Sequence, residues 1–193
     1  MDEKRKLRER LRQARRDHVA ALPDAVRGLL FRRPPGPLAA LFAPDQTVGL
    51  YLANTVEAPA ENYARWLADQ GHAIALPWFA DRTEPMAFRA WRDPWGGTGL
   101  EPGPFGPQPA LDAPLADPAV LIMPLVGFTA DGHRLGQGGG HYDRWLEAHP
   151  DAVAIGLAWD CQQVEALPLE PHDRRLNAVV TPGRVYGPWE LVA

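Results

Sequence analysis

The feature that most constrains this chain is a short apolar run followed closely by a cluster of glycines. The run Ala119–Met123 has five consecutive apolar residues and ends at Pro124, which is typical of a strand buried on both faces of a parallel sheet. Between Gly132 and Gly140 there are five glycines within nine residues. Because glycine loses more conformational freedom on folding than any other residue, this density indicates positive φ angles or a backbone that closely approaches something bulky.

The glycine cluster is compatible with a phosphate-binding loop. Backbone N–H groups without side chains around them can converge on phosphate oxygens, and a helix that begins directly afterwards adds the positive end of its dipole. Arg134, just before the glycines, could donate a guanidinium to the same oxygens. Asp143 would lie in the first turn of the predicted helix. Because Mg²⁺ usually takes one or two carboxylates together with phosphate oxygens and water, Asp143 is a candidate metal ligand.

The same residues have simpler interpretations. The cluster is not a Walker A loop, since no Gly-Lys-Ser/Thr follows, and it is not the GxGxxG fingerprint, since His141 stands where the last glycine would be. For the glycines, a plain flexible turn is an alternative interpretation. Asp143 could only complement the helix dipole, and Arg134 could be an ordinary surface arginine.

Length and composition indicate one globular domain. The chain has 193 residues, of which 46% are hydrophobic and 23% charged, enough for a full core. No apolar run approaches the roughly 20 residues needed to span a bilayer, and the N-terminus lacks the apolar segment of a signal peptide. Cys161 is the single cysteine, which excludes an intrachain disulfide and a cysteine-based zinc site. We therefore expect a cytoplasmic protein without a membrane partner.

Basic charge is concentrated at the N-terminus. The first eighteen residues contain eight Lys and Arg against four Asp and Glu, although the whole chain carries a net charge of −4. Leu7, Leu11, Ala14 and His18 or Val19 recur at helical spacing, which predicts an amphipathic helix with a basic face. Three roles stay open for that face: a solvated surface, a nucleic-acid patch, or part of a phosphate site.

Alternating strand and helix patterns predict an α/β fold. The segment 47–53 is strand-like, 61–70 is a helix with a glycine C-cap at Gly71, and 72–76 is a second strand. A strand, a helix and a strand within about thirty residues imply a parallel βαβ unit. Further strands are predicted at 86–91, 119–123, 152–158 and 176–181.

Two segments interrupt this alternation. Prolines break the segment 22–44, which predicts a rigid surface turn. The segment 77–117 is long, irregular and rich in Pro, Gly and Trp, and loops of this length usually cover or shape a ligand site. The overall prediction is a single three-layer α/β/α domain over 1–193 with a mainly parallel sheet.

The glycine cluster also supports a family resemblance. Arg134-Leu135-Gly136-x-Gly138-x-Gly140-x-Tyr142-Asp143, preceded by Pro124 and the segment 127–132, resembles the signature of the 5-formyltetrahydrofolate cyclo-ligase family. Gln137 departs from the aromatic or basic residue that many members carry, and His141 replaces the usual tyrosine. The resemblance implies the sheet topology shared with ribose-phosphate isomerase and CoA-transferase-like proteins.

The resemblance implies an ATP- and Mg²⁺-dependent enzyme that converts 5-formyltetrahydrofolate to 5,10-methenyltetrahydrofolate, with release of ADP and phosphate. It implies ATP contacts from Lys4 and Arg8, which match the motif Lys4-Arg5-Lys6-Leu7-Arg8, and leaves the other arginines of the helix on the surface. The ATP site would continue through the glycine segment, with Arg134 also acting in catalysis; its residues are Arg134, Leu135, Gly136, Gln137, Gly138, Gly139, Gly140, His141 and Tyr142.

The resemblance also implies a folate site and a second metal ligand. The folate residues would be Leu52, Glu57, Met86, Gln137 and His141, with Glu57 binding the pterin ring. Without the resemblance, Glu57 would be interpreted as an exposed loop carboxylate. Asp173 is implied as the magnesium ligand that joins Asp143, with an exposed turn aspartate as the alternative, and His172 could orient Asp173 or face solvent.

Two positions near these sites have less definite roles. Phe105 lies in a segment that resembles one near the ligands, although core packing is the favoured role. Asn177 occupies a position where the family commonly has aspartate.

Other functions stay open at this point. A phosphosugar isomerase or acyl-CoA-type enzyme of the same topology would use the glycine segment for a different phosphate, and a non-catalytic nucleotide- or nucleic-acid-binding paralogue is a further alternative. Because the cluster of basic residues is confined to one helix without interleaved aromatic residues, we expect no nucleic-acid partner. The expected substrate is a reduced folate, and the expected assembly is a monomer or homodimer.

Overall fold

The computed structural model of the protein describes residues 3–170 and 173–189. The helices are α1 Glu3–Ala21, α2 Asp24–Arg27, α3 Gly36–Ala39, α4 Glu61–Asp69 and α5 His141–Ala148. The strands are β1 Thr47–Gly49, β2 Ala73–Trp78, β3 Ala87–Ala90, β4 Leu100–Gly103, β5 Gly106–Pro109, β6 Leu115–Ala116, β7 Val120–Pro124, β8 Gly127–Thr129, β9 Arg134–Leu135, β10 Val153–Leu157, β11 Gln163–Val164, β12 Ala178–Val180 and β13 Val185–Tyr186.

The main sheet has the strand order β13-β12-β10-β7-β1-β2-β3-β6. Its central strands, β12, β10, β7, β1 and β2, are mutually parallel, and β3 and β13 pair antiparallel with their neighbours. Strand β7 lies between β10 and β1, and each residue from Val120 to Met123 is buried. A strand covered on both faces has no polar side to present, which explains the unbroken apolar run.

Helices cover both faces of the sheet and produce the predicted three layers. On one face, the end of α1 and the helix α4 contribute to a core that contains Val19, Tyr63, Leu67 and Trp159. On the other face, α5 places Trp145 against Phe88, with ring centroids 5.3 Å apart. The prediction of an α/β fold with a mainly parallel sheet is therefore confirmed. No helix within the described residues is both long and apolar enough to cross a membrane.

The predicted elements are largely present, with two corrections in the irregular segments. Strands β1 and β2 are parallel, as the βαβ prediction required, and Gly71 after α4 has φ +88°. The segment 22–44 is not only a surface turn, because it contains α2 and α3 and buries Leu38 and Phe42. Pro23, Pro35 and Pro37 lie at helix starts, where a missing N–H costs nothing.

The segment 77–117 is more regular than predicted. It contains β3, the antiparallel hairpin β4–β5 and the edge strand β6. The hairpin sequence is rich in glycine and proline, so it carries no alternating apolar pattern from which a strand could be recognised. Only the stretch that forms β3 was predicted as a strand.

The order of the strands defines where a ligand would bind. From β1 the chain passes to β2 on one side, whereas β7 is followed by β10 and β12 on the other. The direction of winding therefore changes between β1 and β7, and open α/β sheets bind ligands at the carboxyl ends of strands at such a point.

We expect the central strand to dominate stability. Leu121 of β7 is completely buried between Gly49 and Ala154 of its two neighbouring strands, so Leu121→Ala should lower the free energy of unfolding by about 2–5 kcal/mol. The exposed Leu111, with 63% of its surface accessible, provides the control. Leu111→Ala should change the free energy of unfolding by less than about 0.5 kcal/mol. Urea unfolding of the two variants measures the difference, and equal stabilities would contradict this account of the core.

Candidate active site

A cavity of about 400 Å³ opens at the carboxyl ends of β1, β2 and β7, a size typical of small-molecule sites. Four parts of the chain line it: Tyr51, Leu52 and Glu57 after β1; Leu76, Pro77 and Phe79 at the end of β2; Met123 and Pro124 at the end of β7; and Gly136–Asp143 with Arg134. Met86 and the β4–β5 hairpin close the remaining side. The cavity therefore lies at the change of winding direction in the sheet.

The glycine segment forms one wall of this cavity as a loop that leads directly into α5. Gly138 has φ +104° and Gly140 has φ +65°, which confirms the expectation of positive φ angles. Among the described residues, no oxygen accepts a hydrogen bond from the N–H groups of Gly138, Gly139 or Gly140. Free N–H groups beside the start of a helix are suited to an anion.

Arg134 is held at the edge of this loop and is not a surface arginine. Only 7% of its side chain is exposed; Nη2 forms an ion pair with Asp143, and Nη1 donates to the carbonyl of Arg174 at 2.6 Å. Burial lowers the pKa of Arg134, and the carboxylates of Asp143 and Asp173 oppose that shift. An arginine cannot lose its proton under ordinary conditions, so the site contains a fixed positive charge.

Lys4 approaches the same region from the start of α1. Its Nζ lies 2.7 Å from Glu170 and 3.0 Å from Asp173. Burial alone would lower the pKa of Lys4, but the hydrogen bonds and charges of the two carboxylates outweigh it and raise the pKa. Asp173 is only 21% exposed, so it is not a simple exposed turn residue. His172 lies outside the described residues.

Helix α1 holds the glycine loop through its arginines. Arg8 Nε donates to the carbonyl of Gly136 at 2.9 Å. Arg12 donates through Nη2 to the Gln137 carbonyl at 3.0 Å and to the Gln137 side-chain oxygen at 2.8 Å. The basic face is therefore partly used inside the protein.

The expectation that all other arginines of α1 lie on the surface was wrong for Arg15. Arg12 is half-buried and binds the loop through exposed hydrogen bonds, whereas Arg15 is 4% exposed, with Nη1 donating to the Leu125 carbonyl at 3.2 Å. The sequence did contain a signal, because Arg15 is four residues after Leu11 and four before Val19 and so shares their buried stripe. Burial lowers the pKa of Arg15, and the charge of Glu57 opposes that shift.

Glu57 is a buried carboxylate, not an exposed loop residue. Its side chain is 10% exposed and lies 3.8 Å from Arg15. One carboxylate oxygen accepts from the Gln137 amide at 3.2 Å, and the other from the backbone N–H of Asn54 at 3.1 Å. The Asn54 side chain in turn accepts from the backbone N–H of Glu57 at 3.1 Å, so the turn after β1 orients this carboxylate towards the cavity.

Aromatic rings cover another wall of the cavity. The ring centroids of Phe79 and Phe105 are 4.6 Å apart, those of Phe79 and His141 are 4.9 Å apart, and those of Phe105 and His141 are 5.1 Å apart. Phe105 is 52% exposed, so core packing, its favoured role, was wrong. The Gln108 side chain fixes this hairpin by donating to the Phe79 carbonyl and accepting from its N–H, each at 3.1 Å.

The remaining predicted residues are distributed around these features. Leu52 and Met86 line the cavity, and Met86 is 7% exposed. Tyr142 also lines it, and burial followed by the charge of Glu57 raises its pKa well above the usual range. Leu135 is buried beneath the loop, where it contacts Leu11 and Val126. Asn177 has a structural role, since its side-chain oxygen accepts from the N–H of Ala154 at 2.7 Å.

The predicted magnesium ligands, Asp143 and Asp173, each face a cation. Asp143 pairs with Arg134 but is 44% exposed, and Asp173 pairs with Lys4. The described residues contain no group of three His, Cys, Asp or Glu side chains that could hold a metal. A donor set of two carboxylates still fits magnesium that arrives with phosphate oxygens and water, which is its usual coordination beside nucleotides.

The fold and site define an α/β protein with a glycine loop, whose N–H groups lack an acceptor among the described residues, beside an apolar pocket and a buried carboxylate. A sequence model of the 5-formyltetrahydrofolate cyclo-ligase family matches residues 1–182, and the chain belongs to this family.

Individual relatives have the same name. The 5-formyltetrahydrofolate cyclo-ligase of Mycolicibacterium smegmatis is 31% identical over 191 residues, which cover 94% of each chain. That of Escherichia coli K12 is 49% identical over 85 residues, which are 41% of this chain; in that match the chain spans 47% of the relative's length. The solved structure of Aquifex aeolicus 5,10-methenyltetrahydrofolate synthetase superposes with a TM-score of 0.74 at 20% identity, covering 98% of this chain and 95% of that one. This superposition establishes the shared fold.

We expect His141 to be neutral at pH 7. Its pKa is lowered from the ordinary value of 6.5, first by burial and then by the charge of Arg144, whose Nη2 lies 3.1 Å from Nδ1 of the imidazole. As the pH falls below 6.5, the unfolded chain binds a proton at His141 before the folded protein does. The contribution of His141 to stability is therefore present above pH 6.5 and is lost as the pH falls through the lowered pKa of the folded protein.

Removing the Arg144 charge tests this assignment. In Arg144→Met the pKa of His141 should rise towards 6.5 without reaching it, since burial is unchanged. Titration of the His141 Cε1–H NMR signal measures the shift. Arg16→Met, on the exposed side of α1, is the matched control and should leave the titration unchanged. An equal pKa in wild type and Arg144→Met would contradict the role of Arg144.

Proposed function

We propose that this protein catalyses the ATP- and Mg²⁺-dependent cyclisation of 5-formyltetrahydrofolate to 5,10-methenyltetrahydrofolate, with release of ADP and phosphate. The observation that carries this proposal is the combination of groups around one cavity. Free loop N–H groups, a buried arginine, a buried carboxylate and an apolar aromatic wall all line it. Membership of the cyclo-ligase family supports the same assignment.

The folate would be held by its two chemically different parts. Glu57 accepts hydrogen bonds, and a pterin ring offers N–H donors, so a charge-assisted pair is available there. Leu52 and Met86 provide apolar contact for the ring. The exposed ring of Phe105 is in contact with Phe79 and His141. It could stack against the other aromatic group of the folate, or meet it edge to face.

The triphosphate would be bound by the loop and the cations next to it. The free N–H groups of Gly138, Gly139 and Gly140 and the start of α5 favour phosphate oxygens. Arg134, Lys4 and Arg8 supply positive charge from two directions, and Arg8 also fixes the loop through the Gly136 carbonyl. Magnesium bound at Asp143 and Asp173 would offset negative charge on the phosphates.

The chemistry follows from the poor leaving ability of a formyl oxygen. That oxygen attacks the γ-phosphorus of ATP, ADP leaves, and the oxygen is now part of a phosphate ester. N10 of the folate then attacks the formyl carbon, the carbon–oxygen bond breaks with departure of phosphate, and the N10 proton passes to solvent. The protein's part is to position the two substrates and to stabilise charge, with Arg134 beside the transferred group.

The direct test is the absorbance of the methenyl product when the purified protein is mixed with 5-formyltetrahydrofolate. A rise should require both ATP and Mg²⁺, and Asp143→Asn should lower the rate by at least about 10-fold. Asp112→Asn, at an exposed position that does not line the cavity, is the matched control and should have the wild-type rate. No rise, with ATP bound and intact, would contradict the proposal and favour a non-catalytic nucleotide-binding role.

Glu57 should matter for the folate and not for ATP. Loss of a charged hydrogen bond costs roughly 1.5–3 kcal/mol, so Glu57→Gln should raise the KM for 5-formyltetrahydrofolate about 10- to 100-fold. The Kd of the non-hydrolysable nucleotide adenylyl imidodiphosphate, measured without folate, should change less than about 2-fold, because Glu57 is not among the groups proposed to bind the triphosphate. Steady-state kinetics measure the KM and calorimetry measures the Kd, with the exposed Glu84→Gln as control. A larger effect on nucleotide binding in the absence of folate would assign Glu57 to the nucleotide site.

The apolar wall favours a folate over the phosphosugar alternative, since a sugar phosphate has no flat ring to place against Phe105. Cytoplasmic location, a monomeric or homodimeric state and the lack of a nucleic-acid partner stay predictions from the sequence.

A further inference from the structure

Gln137 holds a position in the site that its neighbours cannot share. It is the only residue between Gly136 and Gly140 that has a side chain beyond the backbone. Any side-chain contact between the middle of the anion-binding loop and the rest of the cavity must therefore involve Gln137.

Both ends of the Gln137 amide are occupied by charged partners. Its oxygen accepts from Arg12 Nε at 3.1 Å and from Nη2 at 2.8 Å, and its nitrogen donates to Glu57 at 3.2 Å. The reverse orientation would place the NH₂ group against a guanidinium and the oxygen against a carboxylate. Since both of those contacts would be repulsive, the charges around the amide determine its orientation.

The resulting chain of contacts links two sites. At one end, Arg12 also binds the Gln137 carbonyl at 3.0 Å and so holds the loop backbone. At the other end, Glu57 is buried beside Arg15 and fixed by Asn54. A displacement of the loop would move the amide away from Glu57, and a displacement of Glu57 would release the amide.

We propose that Gln137 couples the two substrate sites, so that nucleotide at the glycine loop and folate at Glu57 strengthen each other's binding. This inference rests on the proposed function. A nucleotide that fixes the loop N–H groups also fixes Gln137 and thereby further restrains the Glu57 carboxylate, which the turn after β1 directs towards the cavity. The second ligand then meets a site that is already ordered, which lowers the cost of its binding.

The experiment measures folate affinity with and without a bound nucleotide. Calorimetry with 5-formyltetrahydrofolate, in the absence and presence of saturating Mg²⁺ and the non-hydrolysable adenylyl imidodiphosphate, gives the coupling factor directly. We expect the nucleotide analogue to tighten folate binding by about 5- to 10-fold, at the lower end of usual coupling between sites. The reciprocal titration must give the same factor.

Two variants remove the link from different ends. Gln137→Met keeps the length of the side chain without its hydrogen bonds, and Arg12→Met removes the partner on α1; both should reduce the coupling to less than about 2-fold. Gln13→Met, an exposed glutamine on the same helix that bonds to Asp17 and Arg16, is the control and should keep the wild-type factor. Circular dichroism checks that each variant is folded, and Arg12→Met carries the test if Gln137→Met is not.

The outcomes separate this inference from the proposed function. Independent binding of the two ligands to wild type, or full coupling in Gln137→Met, would overturn the inference while leaving the cyclo-ligase proposal intact. If Gln137→Met lost folate affinity equally with and without nucleotide, the inference would also be overturned, because Gln137 would then be a direct folate contact. If wild type binds neither ligand, the proposed function itself fails.

Discussion

The candidate site depends on helix α1, which fixes the conformation of the glycine loop from outside. A segment of glycines has no side chains with which to pack, so its conformation must be imposed from outside. Here Arg8 and Arg12 of α1 bind the carbonyls of Gly136 and Gln137. The opposite edge of the loop continues into α5. The N-terminal helix and a loop more than a hundred residues later thus form one unit, in which the N–H groups of Gly138, Gly139 and Gly140 have no acceptor among the described residues.

Charge in this site is arranged as compensated pairs. Lys4 lies against Glu170 and Asp173, Arg134 against Asp143, and Arg15 is 3.8 Å from Glu57. Burying an isolated charge is expensive, and a nearby opposite charge reduces that cost. The pairs also have a functional consequence, since the cations keep Asp143 and Glu57 beside the cavity.

The parts of the fold that were predicted correctly are those in which local pattern and burial agree. Strand β7 is apolar throughout because it is covered on both faces, and α4 ends before Gly71, which adopts a positive φ. Two of the errors among the site residues have a common cause. Arg15 is charged yet buried, and Phe105 is aromatic yet exposed. In both cases the residue type predicted the wrong exposure, because the neighbours in the tertiary structure determine whether the side chain is buried.

The sequence by itself determined the class of fold, the glycine loop and the family, because periodicity, glycine density and a long motif are local properties of the chain. It did not determine which residues meet across the cavity. The contact between Gln137 and Glu57, the packing of Arg12 on the loop and the approach of Asp173 to Lys4 join residues 80 to 169 positions apart. Such contacts follow from the order of strands in the sheet and the path of α1 across it, and only the tertiary structure specifies these.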